Sequence, residues 1–203
     1  MMKKKTHAER ILALVSQKKI LRSNDLKEMH IPRIVLARLV QQGQLEKIER
    51  GLYCLPEKNI TENTNFVIIS IKIPQAVFCL LTALQLHELT TQLPRQIWIA
   101  MPHGSSHIPK LDYPPLKMIQ CSSSVYTEGI ETMEYDKQLI RVYNPAKTVI
   151  DCFKHRNKIG LDVAIEALRE ARAQKKASAD ELWHFAKICR VTNIIRPYLE
   201  VIE

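Results

Sequence analysis

The residues of this chain that could do chemistry fall into a few groups, and most can be weighed by spacing alone. His103 and His107 stand four apart in PHGSSH, a spacing that on a helix would place two metal ligands on one face. Here they fall on a loop between strand-like runs with no third ligand beside them, so no metal site is expected. Gly104-Ser105 resembles the pair that opens nucleotidyltransferase sites. That chemistry needs two acids on a following strand to hold magnesium, and only Asp112 follows, with prolines after it. The run Glu134 to Lys137 brings acids and a lysine together, but Lys137 directly follows Asp136 and lacks the alternation a nuclease strand requires. No phosphate-cradling glycine loop, nucleophile elbow or HExxH occurs. The chain is read as a non-enzyme without a cofactor.

Charge points to a different chemistry. The chain has 203 residues, is 46% hydrophobic and carries a net charge of +9. Residues 1–58 hold 13 Lys and Arg against 6 Asp and Glu, or +7, whereas residues 59–203 hold 17 against 15, or +2. A basic end on a near-neutral body fits a polyanion partner for that end.

The elements that position those cations follow from local pattern. Thr6 and Glu9 form a capping box for a helix over about 7–17, with Ile11, Leu12, Leu14 and Val15 on its apolar face. Ile20 to Arg22 is a short extended piece. Ser23 or Asn24 is placed to cap a second helix over Asp25 to Met29. Pro32 suits the first position of a third helix, which runs to Gly43 at its C′ position. In that third helix Leu36, Leu39, Val40 and Val35 make the buried stripe, and Arg33, Ala37, Arg38 and Gln41 the opposite face. Long Arg and Gln donors beside one small residue are what a recognition helix presents to base edges and phosphates. Gln44–Ile48 and Gly51–Leu55 then read as a hairpin turning at Glu49-Arg50-Gly51, a wing that places Lys47 and Arg50 toward phosphate and Tyr53 on the wing face. Three helices and a hairpin in this order predict a winged helix-turn-helix over residues 1–58. The candidate DNA-binding set is Arg22, Arg33, Ala37, Arg38, Gln41, Lys47, Arg50 and Tyr53.

Residues 59–203 read as a second, α+β domain after a polar linker at 57–65. Its expected elements are an apolar run from Phe66 to Ile71 of either type, a helix opened by Pro74 over 75–89, and strands at 95–101, 117–121, 129–135 and 139–143 in a mostly antiparallel sheet. Asn144-Pro145 caps a helix. A helix over 161–174 follows, with Leu161, Ala164, Ile165, Leu168 and Ala171 as its apolar face. Ser178 and Glu181 cap another, and a last segment is kinked or restarted at Pro197. The fold class is therefore α+β, a winged helix-turn-helix followed by a small mixed domain ending in helices. The five cysteines are scattered without CxxC and are expected to be reduced and mostly buried. With no signal peptide pattern and no apolar run near the roughly 18–20 residues of a membrane span, a cytoplasmic protein is expected.

The chain resembles the AbiEi-type antitoxins of type IV toxin–antitoxin (abortive infection) systems. The resemblance rests on QGQLEKIERGLYCLP at the end of the expected wing, AVFCLLTALQLHELTTQLPRQIWIAMP, LIRVYNPAKTVIDCFKHRNKIGLDVAIEALREA and the closing RPYLE, in that order. It implies a repressor whose winged helix binds inverted repeats in its own promoter. It also implies a C-terminal domain that counters a nucleotidyltransferase-like toxin. By position, the DNA-reading role falls on Arg33, Arg38 and Gln41 and the wing role on Lys47 and Arg50. The competing readings are a free-standing transcription factor with a ligand-sensing second domain and a DNA-processing enzyme.

Overall fold

A computed structural model describes residues 6–56, 62–105, 115–135 and 138–202. The chain divides into two compact units: Met1–Ile68 with Glu134–Leu139, and Ile69–Met133 with Ile140–Glu203. The fold is mixed α/β.

In the first unit, α1 (His7–Lys18) opens on the expected capping box. The Thr6 backbone N–H donates to Glu9 Oε2 at 2.8 Å and the Glu9 N–H to Thr6 Oγ1 at 3.2 Å, which satisfies two donors at the helix start. Ile11 and Val15, four apart, are its fully buried residues. A three-residue strand β1 (Ile20–Arg22) leads to α2 (Asp25–Glu28). Asn24 sits at the N-cap of α2 but makes no capping bond; its Oδ1 instead accepts from Arg33, as described below. The third helix, α3 (Ile34–Gln41), starts two residues after Pro32, which lies in the turn before it with its carbonyl accepting from the Val35 N–H at 3.1 Å. Its end is as expected. Gly43 lies at φ +67, donates to the Val40 carbonyl, and lets the Gln44 N–H reach the Leu39 carbonyl, a Schellman closure that a β-carbon would strain. Strands β2 (Glu46–Glu49) and β3 (Leu52–Cys54) complete an antiparallel sheet of order β1-β3-β2, with Leu21 and Lys47 both registered on Tyr53. Leu21, Leu26, Leu36, Leu39 and Leu45 join Ile11 and Val15 in one small core.

The expected linker is partly helical. Residues 57–61 lie outside the described residues, but α4 (Glu62–Lys72) runs through 62–65 and carries the apolar run after it as helix. A continuous apolar run fits either element type, because full burial removes the period that would distinguish them.

In the second unit, the expected helix over 75–89 is shorter. It is preceded by β4 (Val77–Phe78), and α5 spans only Leu80–Leu86. Val77 and Phe78 are fully buried in a strand with a neighbour on either side, so again no alternation marks them. Then come β5 (Ile97–Pro102), β6 (Leu116–Cys121), a short helix α6 (Ser123–Thr127) without a counterpart in the sequence reading, β7 (Ile130–Tyr135) and β8 (Gln138–Tyr143). The sheet order is β6-β5-β4-β8-β7. It is mixed rather than mostly antiparallel: β4 pairs antiparallel to β5, but β4–β8 and β5–β6 are parallel. Strand direction depends on long connections that local pattern does not encode.

Helices α7 (Pro145–Lys154), α8 (Arg156–Ile159), α9 (Leu161–Ala173), α10 (Ala179–Cys189) and α11 (Thr192–Ile202) close the chain. Asn144 caps α7 as expected, accepting from the Lys147 N–H at 2.8 Å, and the Ser178–Glu181 capping box opens α10. In α9 the buried face is Val163, Ala164, Ala167, Leu168 and Ala171, rotated from the expected one; Leu161 is exposed and Ile165 half-buried. Three alanines on that face let α9 lie close to α7, with which it is in contact. Pro197 is accommodated within a single helix, α11, rather than restarting one. Of the cysteines, Cys79, Cys121, Cys152 and Cys189 are buried, Cys54 is half-buried, and all are free thiols. No helix among the described residues is long and apolar enough to cross a membrane.

Candidate nucleic-acid interface

Helix α3 separates its side chains cleanly by environment. Leu36 and Leu39 are buried in the first unit's core, while Arg33, Ala37, Arg38 and Gln41 are all exposed. The division follows from the 3.6-residue period, since a helix with one apolar stripe must present the residues between to solvent. No acidic residue stands in its first turn, so nothing there repels an approaching phosphate.

The expected site residues are not equivalent in this geometry. Arg33 is the N-cap residue of α3, and its Nη2 donates to Asn24 Oδ1 at 3.2 Å, which ties the guanidinium back toward the start of α2. No hydrogen bond or ion pair with another described residue holds the Arg38 or Lys47 side chains. Arg22 is exposed at the end of β1, and its backbone N–H is taken by Asp25 Oδ2 at 3.1 Å. Lys47 stands exposed on β2, and Arg50 is exposed in the hairpin turn with Gly51. A bulge between Lys47 and Glu49 shifts the register there, which re-aims the strand tip. Tyr53 is half-buried and packs on the core between β1 and β2, so its ring has a structural partner whatever its hydroxyl does. Ile34 was not among the expected residues. It is 63% exposed and lies on the same face as Ala37, Arg38 and Gln41. Ile34 carries no charge or hydrogen-bonding group to mark it as a site residue, but the 3.6-residue period sets it on the exposed side.

The second concentration of ionisable groups is in the second unit and is sealed. Lys147 and Asp151 sit four apart on α7, 0% and 5% exposed, with Lys147 Nζ donating to Asp151 Oδ2 at 2.5 Å. The ammonium also lies 4.2 Å from the Tyr143 ring centroid, and Cys189 Sγ is 3.5 Å from the other Asp151 oxygen. Burial works against the ammonium, but the Asp151 carboxylate, together with Cys189 and Cys121, outweighs it and leaves the Lys147 pKa above its usual value. Burial chiefly, then Asp151, pushes the thiols of Cys79, Cys121 and Cys152 up, and that of Cys189 up to about 12. Protonated thiols around a paired, buried cation make a polar core contact, not a nucleophile. His103 is exposed beyond β5; His107, Asp112, Asp136 and Lys137 lie outside the described residues.

Against known families, residues 9–56 match the model described as transcriptional regulator, AbiEi antitoxin. The matched segment begins in α1 and ends just past β3, so it covers α3 and the hairpin with the residues above. No curated protein matches the chain.

Proposed function

We propose that this protein is an antitoxin and transcriptional autoregulator of the AbiEi type, whose N-terminal unit is a winged helix-turn-helix. In this reading α2 and α3 are the helix-turn-helix, and the β2–β3 hairpin is the wing. Arg38 and Gln41 of α3 read base edges in promoter inverted repeats, with Ala37 allowing close approach. Arg33, Arg22, Lys47 and Arg50 contact backbone phosphate, and Tyr53 supports the wing. The Asn24 bond favours the positioning role for Arg33 over base readout. The observation that carries the proposal is the exposed polar and basic face of α3, directly followed by a hairpin that keeps Lys47 and Arg50 exposed, inside the segment that matches the antitoxin regulator family. The second unit counters a nucleotidyltransferase-like toxin. Five free thiols suit a reducing cytoplasm.

Two experiments test the two halves. The full chain should protect a defined stretch of the DNA upstream of its own coding sequence. Its affinity should fall steeply with salt, by about 0.9 in the log–log slope for each phosphate contact. Binding that is flat in salt would remove the electrostatic basis of the reading. Co-expression with a toxin encoded beside it should restore growth, and an Arg38→Ala chain should still do so. Loss of rescue by that folded variant would tie toxin control to the DNA-binding face.

A further inference from the structure

The proposed reading leaves the exposed large apolar side chain of α3 without a role. Ile34 is the first residue of the helix and is 63% exposed. A single exposed isoleucine is ordinary on a protein surface. Its neighbours make this one informative. Ile34, Ala37, Arg38 and Gln41 stand at i, i+3, i+4 and i+7, so they form one unbroken stripe along the helix, and all four are exposed. Arg33, one residue before, is drawn away by Asn24 at 3.2 Å, which leaves Ile34 as the leading side chain of the stripe.

On the DNA-binding reading, on which this inference rests, the leading residues of a recognition helix are those that meet base edges. The major groove displays hydrogen-bonding groups and one apolar group, the 5-methyl of thymine. Arg38 and Gln41 match the former. An isoleucine can match only the latter, and Ala37, without bulk, leaves room for the groove wall beside it. We propose that Ile34 is a specificity-determining residue that reads the 5-methyl group of a thymine in the bound DNA.

The probe is the duplex upstream of the coding sequence, with its protected stretch first mapped by footprinting. Each dT in that stretch is replaced singly by dU, which removes the methyl and leaves the pairing edge unchanged. Dissociation constants are then measured for the full chain and for Ile34→Ala. One or two dU positions should weaken the unaltered protein about fourfold, as expected for one methyl removed from water. The same positions should leave Ile34→Ala unmoved. Ile34→Ala should also lose affinity for the dT duplex while keeping its salt slope and its binding to unrelated DNA. Ile34→Gln, which keeps the helix and its length, should behave as Ile34→Ala does, and matching melting curves exclude a folding defect. Indifference of the unaltered protein to every dU, or an equal dU penalty in both proteins, overturns the assignment while protection of the duplex leaves the DNA-binding reading standing. Absence of any protected stretch fails that reading and takes this inference with it.

Discussion

One lysine of the second unit meets a fate opposite to that of the exposed cations of the first. Arg38 and Lys47 stand in solvent on α3 and β2, whereas Lys147 is fully buried on α7 against Asp151 and the Tyr143 ring. The same residue type therefore serves a surface in one unit and a core in the other. The cause is desolvation. A charge taken out of water must be paired at once, and its partner fixes its geometry; a charge left in water keeps its hydration until a polyanion displaces it. Motif-level reading sees the basic residues but not which of them are spent on the core.

The sharpest way to break this comparison is at Asp151. Asp151→Ala would leave the Lys147 ammonium buried without its carboxylate and should destabilise the protein by about 3–5 kcal/mol. The paired replacement Lys147→Met with Asp151→Leu should recover most of that loss, because the desolvation cost goes with the charges. Urea unfolding of the three proteins measures both. Equal losses in the single and double variants would mean that shape, not charge, governs the site.

At the exposed face the stability effect should be small and the binding effect large. Arg38→Ala should change the unfolding free energy by no more than about 0.5 kcal/mol. It should reduce discrimination between the promoter and unrelated DNA by roughly 1–3 kcal/mol. Lys47→Ala should weaken both kinds of DNA alike. A matched loss for Arg38→Ala would make α3 a phosphate clamp.

The two capping boxes allow the units to be compared with the same chemistry. Thr6→Ala and Ser178→Ala each remove a side-chain acceptor from a helix start and should each cost about 1 kcal/mol. The Thr6 change should also weaken promoter binding slightly through α1, and the Ser178 change should not.

The gentlest test is acid. Burial chiefly lowers the pKa of His87, whose Nε2–H donates to the Tyr143 carbonyl at 2.7 Å, and burial likewise lowers that of His155. Each ring is held neutral in the folded chain and binds a proton more readily once unfolded. The stability this gives is present above about pH 6.5, the ordinary histidine value, and is lost as pH falls through the lowered folded values. Urea midpoints should drop between about pH 7.5 and about pH 5.5, and His87→Gln should flatten that dependence. An unchanged slope in the variant would remove His87 from the account.

Much of this molecule is written locally. The capping boxes at Thr6 and Ser178, the Gly43 helix end, the Asn144 cap and the hairpin after α3 each depend on a few adjacent residues, and each forms as its sequence predicts. The exposed face of α3 was legible for the same reason, since an amphipathic period fixes which residues share a side. Burial and long-range pairing were not. Whether the Phe66 run was helix or strand, that Val77 and Phe78 form a strand, and that β4 lies parallel to β8 depended on neighbours distant in sequence. So did the bond from Arg33 to Asn24 and the sealing of Lys147 with Asp151. Sequence determined the local geometry because a turn of helix or a cap closes its hydrogen bonds within a few residues. Only the tertiary structure decided which side chains keep their water, because solvent exclusion is a property of everything packed around them.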